Sequence, residues 1–162
     1  MTVTLVLGGA RSGKSAVAER LAGAGPVTYV ATFVDDAEDA DMAARIAAHR
    51  ARRPAAWNTV ETDDLVSAVR TSKGTVLVDS LTTWVGAAPA FAVDAAGLCL
   101  TLTRHAGDVI LVSDEVGLSV HPSSEPGRRF RDALGLVNQA VSAVADEAML
   151  VVAGRILRLD PV

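Results

Sequence analysis

The sequence predicts a three-layer α/β fold with a mainly parallel sheet and a C-terminal antiparallel hairpin. Three observations predict it. Short β-branched apolar runs alternate with helical periods along the chain, the pattern of proteins that sandwich a parallel sheet between helices. The first run, Val3 to Leu7, leads directly into Gly8-Gly9-Ala10-Arg11-Ser12-Gly13-Lys14-Ser15 and then into the helical pattern Ala16 to Leu21. Near the other end, Met149 to Ala153, Gly154 and Ile156 to Leu159 read as a strand, a turn and an antiparallel return.

The glycine-rich segment has the spacing G-x-x-x-x-G-K-[ST], set between a strand and a helix as a phosphate-binding loop requires. Its glycines let successive backbone N–H groups face phosphate oxygens at the positive end of the next helix. Lys14 would reach the outer phosphates and Ser15 would ligate Mg²⁺. A turn that binds nothing would leave the lysine without a role.

Val27 to Ala31, after the turn signal Gly25-Pro26, reads as the second strand. Ala31, Thr32 and Phe33 fall at its C-terminal end, the edge where open α/β sheets bind ligands, although Phe33 equally suits a core. The acidic run Asp35 to Asp39 suits a helix start, and that helix is expected to run to about Arg52 before Pro54 stops it. His49 lies near its end, with Arg45 and Arg53 four residues to either side and on the same face. Guanidiniums disfavour the imidazolium, which leaves a neutral nitrogen able to attack an electrophile. A solvated histidine on a basic helix satisfies the same spacing.

Trp57 to Glu61 reads as a strand whose Trp belongs to the core, with Glu61 a ligand or a surface charge. Thr62-Asp63-Asp64 caps a helix from Leu65 to Thr71, and Gly74 restarts the chain as Thr75 to Asp79. An apolar strand ending in an acid downstream of a phosphate loop has the form of a Mg²⁺-holding element, so Asp79 and Ser15 are the metal candidates. Ser80 to Trp84 follows, and the soft stretch from there through Pro89 shows no clear period. A helix from Asp94 to His105 is capped by Asp94, with His105 beside Arg104 as a positive helix end. Val109 to Ser113 is a fully apolar central strand, and Asp114 and Glu115 at its edge suit a metal partner, a base or plain loop acids. Glu125 to Ala145 is the longest helix, its core face marked by Phe130, Leu134, Val137, Val141 and Val144. Arg128, Arg129 and Arg131 near its start oppose the helix dipole.

With 162 residues, half of them hydrophobic, the chain suits one domain, residues 1–162. The net charge of -4 gives no global attraction to nucleic acid or anionic membrane. Small-molecule partners are expected. Cys99 is the lone cysteine and makes no internal disulfide, which fits a reducing cytoplasm. No apolar stretch has the length of a membrane span or a signal peptide, so the chain reads as soluble and unprocessed.

Several segments together resemble one family over nearly the whole chain, the bifunctional adenosylcobinamide kinase and adenosylcobinamide-phosphate guanylyltransferase of cobalamin biosynthesis. They are the phosphate loop, Tyr29 to Thr32, Met42 to Ile46, His49-Arg50, Arg53-Pro54, Trp57 with Glu61, Leu81 to Trp84, Glu115-Val116-Gly117, and Arg129 to Asp132 with Asn138-Gln139. The resemblance implies a RecA-like P-loop NTPase sheet, a homotrimer, and ATP and GTP as substrates with Mg²⁺. It implies that His49 becomes guanylylated and that GTP is contacted by the phosphate loop, Ala31, Thr32, Phe33, Arg50, Ala51, Arg52, Arg53, Glu61 and Asp79. Adenosylcobinamide would be phosphorylated and its phosphate would then receive GMP, giving adenosyl-GDP-cobinamide. Four features depart from the family's usual pattern: the stretch between Trp84 and Val109 is shorter, Gly86-Ala87-Ala88 replaces the Asn-Leu-Leu that commonly follows the Thr-Thr segment, Asp114 stands where Asn often precedes Glu-Val-Gly, and the acidic loop before Met42 is longer. A small-molecule kinase without guanylyl transfer and a non-catalytic nucleotide-dependent binding module are the alternatives.

Overall fold

The computed structural model describes residues 1–32 and 54–161. The helix expected between 35 and 52, together with Phe33, Arg45, His49, Arg50, Ala51, Arg52 and Arg53, lies outside the described residues. Seven strands form one sheet: β1 Val3–Gly8, β2 Val27–Ala31, β3 Trp57–Glu61, β4 Thr75–Asp79, β5 Val109–Asp114, β6 Glu147–Val152 and β7 Arg155–Leu159. Their spatial order is β3-β2-β4-β5-β1-β6-β7. All neighbours are parallel except β7, which returns antiparallel to β6.

The period-two alternation of the strands divides the core between two faces. Val3, Leu5, Leu7, Val76, Val78, Val109 and Leu111 face one layer of helices. That layer comprises α2 Leu65–Thr71, α3 Leu81–Ala87, α4 Ala95–Arg104 and α5 Glu125–Val144. Val6, Tyr29, Leu77, Ile110, Val112, Met149 and Val151 face the opposite side, where Val17 and Ala18 of α1 Lys14–Ala22 pack on them. Strands covered on both faces read as continuous apolar runs, which is why β1 and β5 are so plain in the sequence. Trp57 belongs to the α1 face and stacks on Tyr29, ring centroids 6.1 Å apart.

The helices start where short polar side chains can take an orphan N–H. Asp64 accepts from Ser67 N, Asp94 from Gly97 N and Ser124 from Gly127 N. One sequence expectation changes. The stretch after Trp84, expected to lack a period, begins as helix: residues 81–87 form α3, which Ser80 and Thr83 open with a reciprocal capping box. Leu81, Trp84 and Val85, at i, i+3 and i+4, are buried and hold this weakly helical segment by packing. His105, read as a positive helix end, does close α4 as its C-cap, and it is buried there with its Nε2 2.8 Å from the Gly74 carbonyl oxygen. Its ring fastens α4 to the turn before β4. Arg128 and Arg131 fold back on the preceding loop, Arg128 donating to the carbonyls of Pro122 and Ser123, and Arg131 to His121 Nδ1.

Candidate functional site

The phosphate loop begins where β1 ends. A Cβ on Gly8 would lie 2.5 Å from Ser12 Oγ and 2.8 Å from the Val151 carbonyl oxygen, so only glycine fits there. Gly13 has φ 96°, a left-handed conformation that side chains oppose, and α1 starts from it. Between them the loop is braced from within and without. Ser12 N–H donates to Gly9 C=O, Ser12 Oγ accepts from Lys14 N–H, and Ser12 C=O accepts from Gly154 N–H at 2.8 Å. Gly154 belongs to the β6–β7 turn, where Ala153 and Gly154 have φ of 50° and 75°. The hairpin therefore supports the loop directly.

Lys14 starts α1, and its ammonium lies 2.6 Å from Asp114 Oδ1 and 3.3 Å from Gly9 C=O. Asp114 is opposite Gly8 across β1 and β5. Its backbone is held from both sides: the N–H donates to Thr82 Oγ1 of α3, and the carbonyl accepts from Asn138 Nδ2 of α5. The carboxylate is thereby fixed at the lysine.

Beyond β5 the carboxyl edge continues through Asp79, Ala31 and Glu61. Ala31 pairs with Asp79 on one side and Glu61 on the other. The Tyr29 hydroxyl donates to the Asp79 carboxylate through a short hydrogen bond. Thr32 is fully buried; its hydroxyl donates to Ser80 C=O at 2.6 Å and meets Thr83 Oγ1, tying the end of β2 to α3. Ala31, Thr32, Glu61 and Asp79 thus share one edge with Gly8, Gly9, Ala10, Arg11, Ser12, Gly13, Lys14 and Ser15. Sequence reasoning left Asp114 among three roles; the salt bridge to Lys14 singles it out. The signal was an apolar strand ending in an acid, repeated in β5 as in β4. The part Gly154 plays under the loop had no local signal.

A depression flanks the loop on its β5 side. It has a volume of 500 Å³ and is walled by Glu115, Gly117, Arg131, Gly135, Asn138 and Gln139 among others. Glu115 N–H donates to Gly8 C=O at 3.1 Å, so this wall is tied to the phosphate loop. Gly135 is mid-helix and exposed, with nothing within 4 Å of where a Cβ would stand. Glycine there weakens the helix by about 1 kcal/mol relative to alanine, with no packing gain among the described residues.

A phosphate loop, a basic residue aimed along the carboxyl edge and a mainly parallel sheet define a P-loop nucleotide-binding α/β protein. Within that class the chain belongs to the cobinamide kinase / cobinamide phosphate guanyltransferase family, CobU, whose profile matches residues 4–159. It is 40% identical over 162 residues to the bifunctional adenosylcobalamin biosynthesis protein CobP of Pseudomonas aeruginosa, covering 93% of this chain and 92% of that one. It is 39% identical over 176 residues to the bifunctional adenosylcobalamin biosynthesis protein CobU of Salmonella typhimurium, covering 93% and 95%. Among solved structures, a type III secretion system ATPase matches 92% of this chain and 50% of its own at TM-score 0.55 and 12% identity. A Pyrococcus horikoshii protein matches 97% and 85% at TM-score 0.54 and 7% identity. These two likenesses concern the fold alone.

Proposed function

We propose that this chain phosphorylates adenosylcobinamide with ATP or GTP and transfers GMP from GTP to the resulting phosphate. The observation that carries this reading is an intact phosphate loop ending in Lys14, in a chain matched to the family over residues 4–159. In the kinase step the acceptor's hydroxyl oxygen attacks the γ-phosphorus. The bond from that phosphorus to the bridging oxygen breaks, a nucleoside diphosphate leaves, and the hydroxyl proton passes to a base or to water. In the second step a ring nitrogen of His49 attacks the α-phosphorus of GTP and pyrophosphate leaves. A phosphate oxygen of the acceptor then attacks the same phosphorus, the P–N bond breaks, and the imidazole returns to its starting state. Splitting the transfer at a histidine replaces one difficult displacement with two easier ones.

In this reading Lys14 draws negative charge from the outer phosphates, and the loop's N–H groups hold the rest. Ala31, Thr32, Phe33, Arg50, Ala51, Arg52, Arg53, Glu61 and Asp79 complete the nucleotide site. The Ser15 hydroxyl and Asp79 carboxylate are hard oxygen donors of the kind Mg²⁺ takes, and the Tyr29 hydroxyl orients that carboxylate as an outer partner does. Among the described residues no larger cluster of His, Cys, Asp or Glu competes for a metal, which suits an ion held by one or two protein oxygens and the substrate. Bound there, Mg²⁺ would supply charge neutralisation at the phosphates. We further read the chain as a single-domain, cytoplasmic homotrimer; among the described residues no helix is long and apolar enough to cross a membrane.

The test is incubation with Mg²⁺ and α-labelled GTP. Wild type is expected to take up an acid-labile, alkali-stable label that His49→Ala lacks, and to convert cobinamide to its phosphate and then to the GDP derivative. A folded wild type that binds GTP and makes cobinamide phosphate without labelling itself would be a kinase alone.

A further inference from the structure

Three segments that carry the family resemblance have no part in the nucleotide roles above: Glu115-Val116-Gly117, Arg131-Asp132 and Asn138-Gln139. Separated in sequence, they line the one 500 Å³ groove between the loop after β5 and the middle of α5. Its inner end adjoins the place where phosphate is handled. Glu115 N–H is bonded to Gly8 C=O, and Asn138 Nδ2 to the carbonyl of Asp114, whose carboxylate holds Lys14. The groove's wall is thus bonded to the backbone that carries the lysine's partner.

The wall has the chemistry of an amide-recognising surface with an apolar rim. Glu115 and Gln139 offer acceptors and a donor, and Arg131 offers a cation fixed by Asp132 and His121. Asn138 is 6% exposed and its Oδ1 has no partner among the described residues. Leu136 on the same wall is 67% exposed, and Leu118 in the adjoining loop is 80% exposed. Gly135 keeps the wall flat at a helical position where nothing in the described chain needs the space. A body that approaches the helix backbone closely accounts for it.

We propose that this groove is the acceptor subsite: it grips one edge of a corrinoid, a macrocycle with apolar faces and carboxamides on its rim, and points the alcohol arm at Lys14 and Asp114. The proposal rests on the function proposed above. A groove of this volume admits one edge of so large a ring, and the remainder would stand over the exposed leucines.

Equilibrium binding of cobinamide, which needs no turnover, is measured alongside KM values for cobinamide and for the nucleotide. Gly135→Trp is expected to weaken cobinamide binding and raise its KM by at least ~10-fold, while nucleotide KM and labelling by α-labelled GTP stay at wild-type levels. Gly135→Ala, one methyl on the same wall, should give a smaller rise with a raised unfolding midpoint, which separates blocking from misfolding. Gln139→Ala should weaken cobinamide binding by up to ~10-fold, the scale of one neutral hydrogen bond. Wild type that binds cobinamide at the groove but does not phosphorylate it would refute the function and leave the groove standing. Cobinamide affinity untouched by Gly135→Trp, or absent from wild type, overturns the groove. So does a loss that tracks a change in oligomeric mass, which would assign the wall to a second copy of this chain.

Discussion

At Gly8 the strand and the loop approach so closely that one methyl group decides whether the site can form. Gly8→Ala would drive a Cβ against Ser12 Oγ and the Val151 carbonyl, and the carbonyl belongs to a central strand that cannot yield cheaply. The expected cost is about 1–3 kcal/mol, the usual range for overpacking, with a larger loss of nucleotide affinity because Ser12 shapes the loop. Urea unfolding beside a nucleotide titration measures both. Asp114 poses the opposite case, a residue whose removal should help. Its carboxylate pairs with Lys14 at 2.6 Å, and with Lys14 in its proposed role it would compete with phosphate for the same ammonium. Asp114→Asn keeps the backbone bonds to Thr82 and Asn138 while removing one negative charge beside the incoming phosphates. At the effective dielectric of a protein surface this should tighten nucleotide binding by about tenfold. An unchanged or weakened affinity at matched ionic strength would show that the pair orients Lys14 for phosphate and does not compete with it.

Among the elements, the caps and strands were written plainly in the sequence, and α3 was not. Asp64 is an example of the first kind: its carboxylate lies below its usual pKa of 3.8, chiefly because it accepts the Ser67 backbone N–H at the start of α2. The folded state therefore binds that proton less tightly than the unfolded chain, so the cap's contribution is complete above pH 3.8 and fades as pH falls through the lower folded value. Asp64→Ala should lower the urea midpoint by a constant amount from pH 7 to about 5. The gap from wild type should close in stronger acid, and a gap independent of pH would mean that the charge has no part in the cap. The strands were legible because burial on both faces makes β1, β4 and β5 continuous apolar runs. By contrast α3 has two threonines, a tryptophan, a valine and a glycine in seven residues, all poor helix formers, and its apolar positions span a single turn. Packing of Leu81, Trp84 and Val85 decides its conformation, and packing is not a local property.

On the scale of the molecule, the site is a property of strand order. Gly8, Asp114, Asp79, Ala31 and Glu61 come from β1, β5, β4, β2 and β3, adjacent in that order along one edge. The loop, Asp79 and the edge position of Ala31 could be read locally, because a strand end and a glycine spacing are local signals. That Asp114 meets Lys14, or that Gly154 holds up Ser12, depends on β5 and β6 flanking β1, which no local pattern specifies. The same arrangement couples nucleotide binding to the stability of the sheet. The phosphate loop is continuous with β1, bonded to Glu115 after β5 and to the turn after β6, so a ligand on it is anchored to three central strands. Local unfolding of the loop alone should then be costly, and ligand binding should be felt in the global transition. Saturation with GTP at about 100 times its Kd would add about 2.7 kcal/mol, raising the melting temperature of a chain this long by about 5–10 °C. Lys14→Ala should lose most of that shift, and its ligand-free midpoint should fall as well, because the mostly buried ammonium leaves the Asp114 carboxylate without its partner. An equal shift in the variant, measured by thermal unfolding with and without GTP, would place the main phosphate contacts away from Lys14.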